Sequence, residues 1–168
     1  KSVVYVDRAK NVEFRQNIEK VKMIGKVFHP EVVLFETNTF AKTFTQEIRN
    51  VTDLNVHDFN TTRKRKEEII LSLQMNLENQ KMNFPYGNEE SRRVTGTLIE
   101  ELSMFAITER GKFEGIGAHD DMVMSLALAN AATKTLSETF ILLDDMGLFD
   151  PNPTSAYPRT QGYIGLNM

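Results

Sequence analysis

Three carboxylates in this sequence sit where oxygen ligands could meet a cation or a phosphate. Glu36 closes the apolar run Val32-Val33-Leu34-Phe35. Asp120 and Asp121 follow His119 and open the stretch Met122-Val123-Met124-Ser125-Leu126-Ala127-Leu128-Ala129, which is apolar and rich in small residues. Hard divalent cations such as Mg²⁺ or Mn²⁺ take oxygen ligands. A pair of them about 3.5–4 Å apart can activate water and stabilise a leaving oxygen in phosphodiester hydrolysis. Each position also has a plainer reading. Glu36 can be a solvated strand end or a cap for the next helix, and acidic residues in a first turn are favoured by the helix dipole alone. Adjacent helical residues point about 100° apart, so one aspartate at most faces a given ion squarely. Asp121, on one face with Ser125 and Leu128, is the better candidate, with Asp120 as cap or supporting partner. His119 reads as a cap, a supporting partner of the ligands, a DNA contact or a surface histidine.

Elements that would position these groups follow from periodicity. Val3-Val4-Tyr5-Val6 is β-branched and aromatic and predicts a strand over 3–7, ending at Asp7. Phe14, Ile18, Val21, Ile24 and Phe28 recur at helical spacing, and Pro30 marks the exit. The uninterrupted run 32–35 predicts a strand covered on both faces, as at the centre of an α/β sheet. In such sheets ligands lie beyond the carboxyl ends of the strands, where Glu36 stands. Asn38 or Thr39 can cap a helix carrying Phe40, Phe44 and Ile48. Asn55-Val56-His57-Asp58-Phe59 is a weaker strand. Thr61 or Thr62 can cap a helix to about Gln80 with Ile69, Ile70, Leu73 and Leu77 inward, and Val94, Leu98 and Leu102 mark another. Residues 104–116 predict a hairpin turning near Arg110-Gly111-Lys112, and a final helix starts near His119. Strands alternating with helices argue for an α/β layer architecture.

The totals set bounds. A chain of 168 residues fits one domain plus a tail. We expect a domain over 1–149 and an extended tail over 150–168, which holds three of the five prolines. No apolar run approaches the roughly 18–20 residues that cross a bilayer, so a soluble, non-membrane protein is expected. With no cysteine there is neither a disulfide framework nor a zinc–thiolate site. A net charge of −3 argues against coating nucleic acid by bulk charge, so a DNA contact needs a local basic patch. Arg63, Lys64, Arg65 and Lys66 supply one, with Arg110 and Lys112 of the hairpin as further candidates. Four cations sit badly in a helical first turn, which makes phosphate binding more attractive there. Lys64 and Lys66 fall on different sides, so one can reach the carboxylates while the other tracks DNA backbone.

Taken in order, these segments resemble a known family. Val33-Leu34-Phe35-Glu36-Thr37-Asn38 resembles the strand motif of phage terminase large-subunit nuclease domains. His119-Asp120-Asp121-Met122-Val123-Met124-Ser125-Leu126 is similar to their acidic helix, especially in the T4-like branch. Thr61-Thr62-Arg63-Lys64-Arg65-Lys66 is similar to their basic segment, and the likeness spans roughly residues 3–136. It implies a ribonuclease H-like mixed sheet with helices on both faces and an auxiliary hairpin. It implies carboxylates Glu36, Asp121 and Asp120 around a two-metal site of Mg²⁺ or Mn²⁺. It further implies a viral endonuclease that cuts concatemeric double-stranded DNA in the host cell cytoplasm without being a stable virion component. Its partners would be a motor domain, a small terminase subunit and the portal. The family's first aspartate lies on a strand well upstream, with two strands and a helix between it and the Glu36 position. Here only one strand and one helix precede Glu36. The expectation is therefore that 3–7 is the third strand, that the first two are lacking, and that Asp7 is a weak substitute ligand. A RuvC-like junction resolvase and a non-catalytic DNA-binding or assembly module are the alternatives.

Overall fold

The computed structural model describes residues 1–9, 11–36, 41–107, 113–115, 120–133 and 163–166. They form an α/β arrangement in which a short parallel sheet is covered by helices on both faces. Helix α1 (Phe14–Phe28) leads to strand β1 (Val32–Glu36), helix α2 (Ala41–Val51) and strand β2 (Val56–Phe59). Helices α3 (Arg63–Glu78) and α4 (Glu89–Ser103) follow, then a hairpin of β3 (Phe105–Ile107) and β4 (Phe113–Gly115). Helix α5 (Asp121–Ala132) and strand β5 (Tyr163–Leu166) complete the order.

The continuous apolar run of β1 has the expected meaning. Side chains alternate between the faces of a strand. Val33 and Phe35 enter a cluster with Ile18 and Val21 of α1 and Phe44 and Ile48 of α2, while Val32 and Leu34 enter one with residues of α3, α4 and α5. Both faces are filled because β1 is central: it pairs in parallel with β2 (Glu36↔Phe59) and with β5 (Val32↔Tyr163 to Phe35↔Leu166). Fully burying each such side chain contributes about 1.5–3 kcal/mol, so a polar residue at Val33 or Phe35 would undo one layer.

Caps set the helix limits. Thr62, rather than Thr61, accepts the Arg65 N–H to start α3. Asn88 and Ser91 form a reciprocal capping box at the head of α4. Helix α1 stops at His29, whose φ of 44° is left-handed and whose N–H returns to the Gly25 carbonyl. Helix α5 is buried on nearly every side, with Val123, Ala127, Leu128 and Ala132 all close to full burial.

Three expectations change. Residues 3–7 are not a strand. The segment makes a single bridge, Ser2 to Asn83, and then runs over the helices, with Val3 and Val6 against the α3–α5 cluster and Tyr5 tilted on Phe28. Burial, and after it the Asp7 charge, raises the Tyr5 phenol above its ordinary range. β-branched character suits a strand, but a strand also needs a ladder partner, and none runs beside it among the described residues. Next, the two pairings of the main sheet are both parallel, and the antiparallel pairing belongs to the hairpin, Phe105↔Gly115 to Ile107↔Phe113. Last, the stretch 150–168, expected as an extended tail, contributes β5 to the sheet.

Candidate functional site at the carboxyl edge of the sheet

Glu36 is the last residue of β1 and is half-buried. Alternation puts it on the same face as Val32 and Leu34, the face covered by α5. Register places it beside Phe59, the last residue of β2. From there the chain passes Asn60 and turns at Thr62 into α3, so the first turn of α3 lies at this same carboxyl edge. Lys66, at the end of that turn, reaches Asp120 with Nζ 2.9 Å from Oδ2. The route Glu36–Phe59–Thr62–Lys66–Asp120 therefore brings the head of α5 to the edge where β1 ends.

The two aspartates behave differently. Asp120 occupies the N-cap position of α5 but makes no side-chain cap bond; its carboxylate goes to Lys66. Of its two expected roles, cap or supporting partner, the side chain does not take the first. Asp121 is exposed. Glu36 has no hydrogen bond or ion pair among the described residues, the position of a carboxylate held by its strand rather than by a partner.

The basic turn divides as its helical geometry requires. Arg63 pairs with Glu67 one turn on, and Arg65 donates back to the Asn60 carbonyl. Lys66 turns inward, and its ammonium also lies 5.7 Å from the Phe105 ring centroid, so the hairpin stands over the same edge. Lys64 is exposed and makes no ion pair among the described residues. Of the remaining expected positions, Arg110, Lys112 and His119 lie outside the described residues. Asp7 forms an ion pair with Lys20 of α1.

Reading the sequence missed one further group here. Glu101 of α4 is 7% exposed; it accepts the Met122 N–H in the first turn of α5 at 3.0 Å and pairs with Arg8 at 2.8 Å. Its signal was available: Val94, Leu98 and Glu101 fall on one helical stripe, and an acid on an apolar stripe demands a partner. Leu102, which marks the same helix in the sequence, packs partly buried against the core that holds Val94 and Leu98.

The donors are of the right type for a hard divalent cation, but they are too few. Among the described residues no three Asp, Glu or His side chains are grouped so as to hold an ion. Asp120 and Asp7 are engaged by lysines, and Tyr163, Ile164, Gly165 and Leu166, beside β1 on the side opposite β2, include no carboxylate. These residues do not by themselves fit a two-ion centre.

Comparison of the chain with protein-family models, with curated proteins and with solved structures finds no match. Among the described residues no helix is long and apolar enough to cross a membrane.

Proposed function

We propose that this chain is the ribonuclease H-like nuclease domain of a viral terminase large subunit, an endonuclease that hydrolyses phosphodiesters of concatemeric double-stranded DNA during packaging. One observation carries the reading: Glu36 ends the central parallel strand at the edge where Lys66 holds the acidic head of α5. Parallel α/β sheets bind ligands beyond this edge. The chain's own residues bind and orient. Lys64 meets DNA backbone, with Arg63 beside it, and such contacts are blind to sequence and sensitive to salt. Glu36 and Asp121 present oxygen toward the scissile phosphate region, and Lys66 neutralises Asp120. The family's divalent ions, Mg²⁺ or Mn²⁺, would activate water. The described carboxylates fall short of holding two ions, so a complete centre needs a further oxygen ligand. Host cytoplasm, a motor domain, a small terminase subunit and the portal belong to this same proposal.

Cleavage of supercoiled plasmid with Mn²⁺, Mg²⁺ or EDTA tests it, beside Glu36→Ala and Asp121→Ala. Metal-dependent cutting that both variants lose is the expected result. Cutting that persists in both sinks the assignment. A second reading, a non-catalytic DNA-binding or assembly module, is favoured by the short donor set. It predicts DNA binding that neither variant alters and no cutting by the folded wild type. A RuvC-like resolvase would instead prefer branched over linear DNA.

A further inference from the structure

We propose that Glu101 is a positioning residue: it caps α5 from a neighbouring helix, so that the Asp120 carboxylate is released from capping and turned to Lys66. An Asp at an N-cap ordinarily accepts from the second or third N–H of its helix. Asp120 does not, and the second N–H, that of Met122, goes to Glu101 Oε2 instead. Met122 is 4% exposed, so without this bond its N–H would be orphaned inside the protein. A carboxylate suits the place, because the head of a helix favours negative charge and a charged acceptor strengthens the bond. Burying that charge requires a counter-ion, and Arg8 supplies it at Glu101 Oε1. The groups facing Glu101 are thus the Met122 N–H of α5 and the Arg8 guanidinium of the leading segment.

This arrangement separates two duties that one aspartate cannot perform together. Remove Glu101, and the Met122 N–H needs another acceptor, which an aspartate at the N-cap position can supply. The Asp120 side chain would swing to the cap and leave Lys66. Arg8 makes the leading segment part of the same assembly.

Hydrogen exchange at the Met122 amide, read by NMR on the full chain, tests the inference in four backgrounds. Asp120→Ala should leave the rate within twofold of wild type, because Asp120 is not the cap. Glu101→Ala should speed it at least tenfold while the Leu128 amide, mid-helix, holds its rate. The double variant should be faster again, because the substitute cap is gone. Tenfold acceleration by Asp120→Ala alone overturns the proposal, and so does a double variant no faster than Glu101→Ala. If Glu101→Ala does not fold, Glu101→Gln decides. It keeps an acceptor oxygen, so Met122 exchange should stay within threefold of wild type, and tenfold acceleration overturns the inference.

The consequence for catalysis rests on the nuclease reading. There Glu101→Ala should lower kcat at least tenfold with KM for DNA within twofold, and Glu101→Gln should restore most of it. An equal loss in both variants overturns the positioning role. A wild type that does not cut defeats the nuclease reading, and the exchange rates still judge the cap.

Discussion

The two faces of the sheet are built by different means. Under α1 and α2 the core is Ile18, Val21, Val33, Phe35, Phe44, Ile48 and Val56, and the buried polar side chain there, Thr45, bonds the Ala41 carbonyl of its own helix. Under α3, α4 and α5 the buried polar groups reach between elements. Asn130 accepts from Lys1 and Asn76 and donates to Ser72; Glu101 joins α4 to α5; Thr95 bonds the Pro85 carbonyl. Apolar contact is non-directional and tolerates small slides, whereas a buried hydrogen bond fixes register. The face that carries Glu36 and the acidic head of α5 is pinned by directional bonds in its buried interior. The other face supplies burial, and its tie between elements, Arg49 of α2 to the Val56 carbonyl and Asp58 of β2, lies at the rim. Under the nuclease proposal, ties of this kind would hold a carboxylate in the narrow range of positions that chemistry at a phosphate demands.

The sharpest test of that division separates activity from stability on the pinned face. Under the nuclease proposal Glu36→Ala and Asp121→Ala should each lower cleavage by about 100-fold or more, and Glu36→Ala, whose side chain ties no element among the described residues, should change unfolding free energy by about 0.5 kcal/mol or less. Plasmid cleavage and urea titration read the two quantities. A Glu36→Ala variant that unfolds would make this carboxylate part of the scaffold.

Asn130→Ala is the converse. It removes the oxygen that accepts from Asn76 and the Lys1 ammonium and the amide that donates to Ser72, and should destabilise the fold by about 1–3 kcal/mol. Thermal denaturation checks this. A loss below about 1 kcal/mol would mean that water replaces the amide and that α5 is held by its apolar contacts alone, erasing the contrast between the faces.

A smaller effect distinguishes Lys66 from Lys64, two residues apart in one helical turn. Lys66→Ala breaks the partly buried pair with Asp120 and should lower stability by about 1 kcal/mol. Lys64→Ala should leave stability unchanged and reduce the salt dependence of DNA binding by about one phosphate contact, a change of roughly 0.9 in the slope of log K against log salt. Fluorescence anisotropy across a salt series measures it. Equal slopes in wild type and Lys64→Ala would remove this lysine from the DNA surface.

How far the sequence discloses this structure depends on whether the decisive partner is local. The run 32–35 is legible because a strand buried on both faces must be apolar throughout, and Glu36 is legible as its end. The helices that carry Phe44, Leu73, Leu98 and Leu128 follow from 3.6-residue spacing, and a threonine cap at 61 or 62 from type and position, with Thr62 chosen by the structure. Residues 3–7 mislead, because Val3, Val4 and Val6 have strand character while the ladder that would make them a strand is set by other segments. Strand β5 is invisible for the same reason in reverse: Tyr163-Ile164-Gly165-Leu166 sits in a stretch rich in proline and glycine and becomes a strand only beside β1. At the candidate site, residue types single out Glu36, Asp120, Asp121 and the basic turn as candidates. That Asp120 faces Lys66, and that Glu101 with Arg8 takes over the cap, depends on side chains far apart in the chain, which periodicity does not encode.

The smallest expected effect probes the other face. Gly25 lies inside α1, where alanine is about 1 kcal/mol more favourable than glycine. A Cβ there would stand 2.8 and 2.9 Å from the two methyls of Leu54, a partly buried side chain against the α1/α2 cluster. Those methyls are the free end of a side chain that can turn aside at about 0.5–1.5 kcal/mol. The two terms oppose each other and are of similar size, so Gly25→Ala should shift stability by less than about 1 kcal/mol in either direction. Urea titration decides it. A loss above about 3 kcal/mol would show Leu54 locked in place, and the apolar face would then be as tightly determined as the face that carries the carboxylates.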